Sequence, residues 1–215
     1  MSILIALLMD LVGKRIYLKT YQTLLFLPRF ISWVVVGYMG MILFHYEYGV
    51  MNQIVKAFGG EQISWYLEPK YWRVIIPVFN VWKTMGYTSL IYYGTIIGID
   101  TQIFESAEID GAGTFRKIWY ITLPLLKSTV IVMSLMSVGS IMRADFGLFY
   151  YVPNNSGALY EVTDVLDTYI YRALRGAGDM ASSAAASFFQ SVVGLIMVVG
   201  CNAIVKKIDS DSSLF

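Results

Sequence analysis

Residues Asp100–Pro124 read DTQIFESAEIDGAGTFRKIWYITLP, and they join two long apolar stretches. Asp100 or Thr101 is placed to cap a helix of about three turns, because a short polar side chain accepts from the open N–H groups of a first turn. Gly111 and Gly113 then stop it, glycine being the residue that most readily leaves a helix through a left-handed turn. Thr114 is placed to cap a second short helix. Pro124 opens the apolar helix that follows, where its missing N–H costs nothing. The product is a helix–turn–helix elbow over residues 100–124. Ser106, Ala107, Gly111, Ala112 and Gly113 are small enough for another backbone to come close, while Glu105, Glu108 and Asp110 keep the rim acidic. A push on such an elbow moves both helices attached to it.

Those helices are long and apolar. Crossing ~30 Å of hydrocarbon takes about 20 mostly apolar residues. Val74–Ile99 precedes the elbow and Leu125–Met142 follows it; Phe30–Phe44, extendable to Tyr48, and Ala184–Val205 also qualify. Ile3–Val12 is half a span carrying Asp10. Nothing basic precedes it, as a signal peptide would require, and it reads as the inner end of a span truncated at the N-terminus. The expectation is an all-α membrane protein, a polytopic helical bundle of about four complete spans plus a partial N-terminal one, forming a single transmembrane domain over residues 1–215.

Composition agrees and removes rival classes. Of 215 residues 57% are hydrophobic and 14% charged, against roughly 25% charged in an average soluble domain. A net charge of +1 leaves no basic excess to displace counterions from nucleic acid. With Cys201 and His45 the sole residues of their kinds, no metal site and no disulfide is expected. Asp164/Asp167 and Glu105/Glu108 have the spacing of paired acids, but no cleft is implied around them, and no catalytic residues are assigned. No phosphate loop of the G-x-x-x-x-G-K-[ST] type occurs, so no cofactor or nucleotide is expected on this chain.

Basic residues collect on the cytoplasmic side of a membrane. Placing 14–29, 99–124 with the neighbouring Lys127, and the C-terminus inside gives nine Lys and Arg there against six outside. The outer loops are rich in Trp65, Tyr66, Tyr71, Trp72, Tyr150, Tyr151, Tyr160, Tyr169 and Tyr171, which suit an interfacial belt or stacking platforms for sugar rings. Lys83 falls ~13 Å into its predicted span, where a charge costs at least ~2.5–3.5 kcal/mol and calls for a partner or a wet cavity. Asn80 and Tyr87 share its helical face, so the three form a candidate polar stripe along a substrate pathway. Arg143 and Asp145 read as a local ion pair, and Gly94-x-x-x-Gly98 as a helix-packing site.

The elbow also carries a resemblance. Glu105-x-Ala107, Gly111 four residues on, then Ile121-x-Leu123-Pro124 after nine intervening residues resembles the EAA loop of binding-protein-dependent ABC importers, with Ser106 where the second Ala usually stands. Asp110-Gly111-Ala112 and Leu123-Pro124 look like the carbohydrate branch. Leu27–Val34 and Asp164–Arg172 are similar to permeases of the group that imports oligosaccharides derived from polysaccharides. The resemblance covers about Leu11 to Ile208 and implies a type I importer permease fold, in a multi-pass subunit of a bacterial plasma membrane with a cytoplasmic C-terminus. It implies as partners a homologous second permease, a cytoplasmic ATPase dimer that binds ATP-Mg and docks on the elbow, an extracellular solute-binding protein, and membrane lipid. The subunit would itself be a conduit and lever, not an enzyme. A passive channel or secondary transporter is the alternative, since it needs no partner at the elbow.

Overall fold

A computed structural model of the chain describes residues 1–12 and 15–208. Lys14, counted above among the inner basic residues, lies outside them. Helices and turns are the regular elements among the described residues: α1 Ser2–Asp10, α2 Arg15–Phe30, α3 Trp33–Leu43, α4 Val50–Ala57, α5 Pro69–Ile97, α6 Thr101–Ile109, α7 Thr114–Gly139, α8 Phe146–Tyr151, α9 Tyr160–Thr163, α10 Leu166–Arg172 and α11 Met180–Ile208. They group into two compact units, each drawn from separated stretches of chain. One contains Met1–Arg29, Lys83–Gly139 and Leu195–Phe215; the other contains Phe30–Trp82 and Ser140–Gly194.

In the first unit a small core of Ala6, Tyr92, Ile96 and Leu126 joins α1, α5 and α7. Thr95 and Thr129 hydroxyls share a hydrogen bond of 3.1 Å between α5 and α7, which keeps both polar atoms out of the apolar surroundings. Gly86 is buried against the backbone of α2, so close that a methyl group there would fall 1.8 Å from the Leu25 carbonyl oxygen. Glycine at this position is what lets the two helix backbones touch.

The second unit is built on aromatic packing. Phe44, Trp72, Phe79, Val36, Leu148, Val152 and Leu159 form its core. Trp72 is fully buried, with its indole N–H donating 2.7 Å to the Trp65 carbonyl. Asn52 is fully buried too: its amide donates to the carbonyls of Tyr46 and Ile63 at 2.9 Å, and its carbonyl accepts from Ile63 N–H and the Trp65 indole, each at 3.0 Å. A buried amide with all these bonds made pins the loop between α4 and α5. Trp72 is therefore a core residue, and Trp65 and Tyr66 are half-buried against the same core.

The apolar windows are realised unequally. Thr114–Gly139 and Met180–Lys207 are the two described helices long and apolar enough to cross a membrane, and the broken pair Ile16–Phe30 with Trp33–Leu43 would make a third. Two expectations change here. The segment 15–29, read as part of an inner loop, is helix α2. The window Phe30–Phe44 is not one helix, because the chain is interrupted at Ile31–Ser32, where Ser32 turns extended and its hydroxyl accepts from Val35 N–H. A serine N-cap starts a new helix instead of continuing the old one. Helix α5 matches its expected span closely and is 29 residues long, but Lys83, Asn80 and its hydroxyls leave it more polar than the other two.

Candidate coupling elbow

The elbow forms from its caps outward. The Asp100 carboxylate accepts from Gln102 N–H at 2.9 Å and opens α6. The helix closes at Gly111, whose φ of +77° is in the left-handed region. There Ala112 N–H donates to Ala107 C=O (2.8 Å) and Gly111 N–H to Glu108 C=O (3.0 Å). This is the paired bonding of a Schellman ending, which needs a residue that enters the left-handed region at no steric cost. Gly113, rather than Thr114, is the residue at which the next helix is capped.

That next helix is a correction as well. No separate short helix precedes the span: Thr114–Gly139 is continuous, with one widened turn of π-helix at Ile118–Thr122 just before Pro124. Proline inside a helix lacks the N–H for its upstream carbonyl and crowds it, and a π-turn makes the room. Ile121, Leu123 and Pro124 thus sit at a bulge inside a long helix, with Thr122 buried behind them.

Glu105, Ser106, Asp110 and Gly111 are exposed and Ala107 and Ala112 half-buried, all on or just after α6. The two arms are tied by Lys117, whose ammonium reaches Glu108 Oε1 at 2.5 Å. That ammonium holds the Glu108 carboxyl below the usual carboxylate range. Two apolar side chains stand out at the tip, Ile109 at 87% exposure and Phe115 at 75%. Reading the sequence for caps and small residues misses both the tie and the tip, although Glu108 and Lys117 flank the turn in plain view. Behind the elbow is a cavity of about 520 Å³, lined by Asp10, Ile96, Thr101, Phe104, Lys117 and Thr122 among others.

The stripe expected on α5 divides. Asn80 is exposed and belongs to the second unit. Lys83 is 5% exposed, and its ammonium donates 3.4 Å to the Pro28 carbonyl, one of the carbonyls left over where α2 ends. A cation at a helix C-terminus satisfies such a carbonyl and complements the helix dipole. Tyr87 is 44% exposed, with Phe26 stacked on its ring and the Arg29 guanidinium 5.3 Å from the ring centre.

Other side chains are settled by contacts further along the chain. No ion pair joins Arg143 to Asp145 among the described residues. Asp145 instead caps α8 through Gly147 and Leu148 N–H and accepts from the Trp33 indole at 2.8 Å. The carboxylates of Asp164 and Asp167 face different partners: Asp164 binds Arg172 and Thr168, while Asp167 accepts from Ala144 N–H and the Gln190 amide. Among the described residues nothing from another helix comes within 4 Å of where a Gly94 side chain would begin, so there the Gly94-x-x-x-Gly98 pair packs no other helix.

Comparison with known proteins places these features. Residues 2–210 match the model of the family described as binding-protein-dependent transport system inner membrane component. Protein LplB of Bacillus subtilis (strain 168) is 34% identical over 209 residues, covering 97% of this chain and 65% of LplB. The polygalacturonan/rhamnogalacturonan transport system permease protein YteP of the same organism is 35% identical over 205 residues, covering 95% of this chain and 63% of YteP. The chain thus spans slightly less than two thirds of the length of both relatives. A chain in the crystal structure of a bacterial alginate ABC transporter, in complex with an alginate pentasaccharide-bound periplasmic protein, superposes with a TM-score of 0.90 at 31% identity, covering 96% of this chain and 71% of that one.

Proposed function

Because this chain belongs to the family of binding-protein-dependent transport system inner membrane components, we propose that it is a membrane-spanning permease subunit of an ATP-driven oligosaccharide importer. The observation that carries the reading is the elbow. A rigid turn is tied across its base by Lys117 and Glu108, presents Ile109 and Phe115 outward, and continues directly into the long apolar helix α7. Exposed apolar tips of this kind anchor protein–protein contacts. The small residues Ser106, Ala107, Gly111 and Ala112 allow close approach, and Glu105 and Asp110 supply the polar rim, while Ile121, Leu123 and Pro124 pass the motion into α7.

In this reading a cytoplasmic ATPase dimer, carrying ATP-Mg, docks on the elbow, and its closure swings α7 and the helices packed on it. A homologous second permease completes the pathway, and an extracellular solute-binding protein delivers the sugar. The relatives named for polygalacturonan, rhamnogalacturonan and alginate support an oligosaccharide cargo, and the alginate complex supports the delivering protein. The elbow and C-terminus then lie on the cytoplasmic side. Asn80 and Tyr87 are the pathway residues on α5, with Lys83 holding the end of α2 beside them. The subunit performs no chemistry of its own.

Cysteine crosslinking tests this. With Cys201→Ser as background, Ala107→Cys or Ala112→Cys is paired with cysteines on the ATPase in the assembled complex. A crosslink whose yield changes with ATP is expected. A sugar-transporting complex with no crosslink at either position would move the docking surface elsewhere. Failure of any ATPase to co-purify would favour a passive channel.

A further inference from the structure

Lys83 is the middle residue of α5, and Tyr87 lies one turn beyond it, ten residues short of the helix end. At 1.5 Å per residue α5 is about 43 Å long and Tyr87 stands ~15 Å from its end. In a helix that crosses the bilayer, this is the depth of the hydrocarbon middle. The end of α2 lies against the same turn: Phe26 stacks on Tyr87, Pro28 C=O takes the Lys83 ammonium, and Arg29 sits over the Tyr87 ring.

Two cations therefore occur at one depth, and they are treated differently. Lys83 is buried and spent on a carbonyl. Arg29 is exposed, and no carboxylate pairs with it among the described residues. A guanidinium cannot face lipid at this level; it needs water or a counter-charge. Helix α2 also ends one residue later, and broken helices at mid-membrane are found where they line a cavity. The polar character of α5 points the same way.

We propose that Arg29 and Tyr87 form a station in the translocation pathway that selects carboxylate-bearing sugars. The planar guanidinium matches a uronate carboxylate in a two-point hydrogen-bonded pair, and Tyr87, 44% exposed beside it, supplies aromatic surface and a hydroxyl to the same sugar ring. Lys83 is a positioning residue, holding the end of α2 so that Arg29 is presented. This inference rests on the importer reading above and adds the charge of the cargo to it.

The test uses the assembled importer in proteoliposomes with two probes, trigalacturonate and the same trisaccharide with its carboxylates reduced to alcohols. Arg29→Gln is expected to lower the ratio of acidic to neutral uptake about tenfold, Arg29→Lys to recover part of it, and Tyr87→Leu to slow both sugars. An unchanged ratio in Arg29→Gln overturns the proposal, as does a wild-type complex that carries only the neutral sugar. A second measurement covers poor assembly of these variants. In Cys201→Ser, Tyr87→Cys should react with a water-soluble thiol reagent and be protected by trigalacturonate more than by its neutral analogue. No labelling, or equal protection, overturns it. Wild-type proteoliposomes that take up neither sugar with ATP would overturn this inference, whereas a purified complex without an ATPase would overturn the importer reading itself.

Discussion

Replacing Gly86 by alanine is expected to destabilise the chain severely, while the same replacement at Gly94, two turns along the same helix, is expected to be harmless. At Gly86 the added methyl group would lie 1.8 Å from the Leu25 carbonyl oxygen and 2.4 Å from its carbon. Ordinary contact begins near 3.4 Å, so about 1.6 Å must be made up by moving α2 away from α5. Backbone cannot yield as a side chain does. Overpacking of this kind costs ~1–3 kcal/mol. Parting the helices also strands the buried Lys83 ammonium from Pro28, and a hydrogen bond to a charged group contributes ~1.5–3 kcal/mol. Alanine returns about 0.5–1 kcal/mol through its better helix propensity. The net loss is ~2–5 kcal/mol, or roughly 5–15 °C in Tm for a chain of this size. Gly94→Ala keeps only the propensity gain, because among the described residues nothing from another helix lies within 4 Å. The assay is thermal unfolding of the purified chain in detergent, followed by tryptophan fluorescence. Equal shifts for the two variants, or an unchanged Gly86→Ala, would refute the close backbone approach.

Three further outcomes are expected. Asp145→Ala removes the cap of α8 and the acceptor of the Trp33 indole, costing about 1–2 kcal/mol; the Trp33 emission should shift, whereas Arg143→Ala should leave it alone. Gly111→Ala must hold a left-handed residue at the elbow, costing about 1 kcal/mol, while Gly111→Asn should be milder; hydrogen exchange at Gly111 and Ala112 N–H reads the difference. Burial pushes the Asp164 carboxyl up, but hydrogen bonds from Arg172 and Thr168 outweigh it and leave it below its ordinary value near 3.8. Its folded pKa being depressed, its contribution is complete above that ordinary value and fades as pH falls through the lower folded one. Asp164→Asn should therefore flatten the acid limb of the stability profile, and a limb identical to wild type would contradict the pairing.

The elbow was readable in advance because its signals act over a few residues. Asp100 caps, Gly111 ends a helix, and small residues cluster between them, all within one or two turns. Even there the reading slipped where a local rule had two solutions: Pro124 could open a new helix or sit behind a widened turn, and it does the latter. The Phe30–Phe44 window failed for a related reason. Hydropathy averages over Ile31 and Ser32, and it takes the capping hydroxyl of Ser32 to break the run.

The sequence by itself determined that the chain is helical, apolar enough for a membrane, and equipped with an elbow between two long helices. Composition, period and caps depend on neighbours along the chain, so they survive without coordinates. Only the tertiary structure decided what the lone polar groups do. Lys83 meets Pro28 across 55 residues and Asp145 meets Trp33 across 112. Gly86 is indispensable because Leu25 lies against it, and Gly94, the same residue on the same helix, is not. A buried charge must find a partner, but its energy depends on distance in space, and nothing in the order of residues says which distant carbonyl will be within reach.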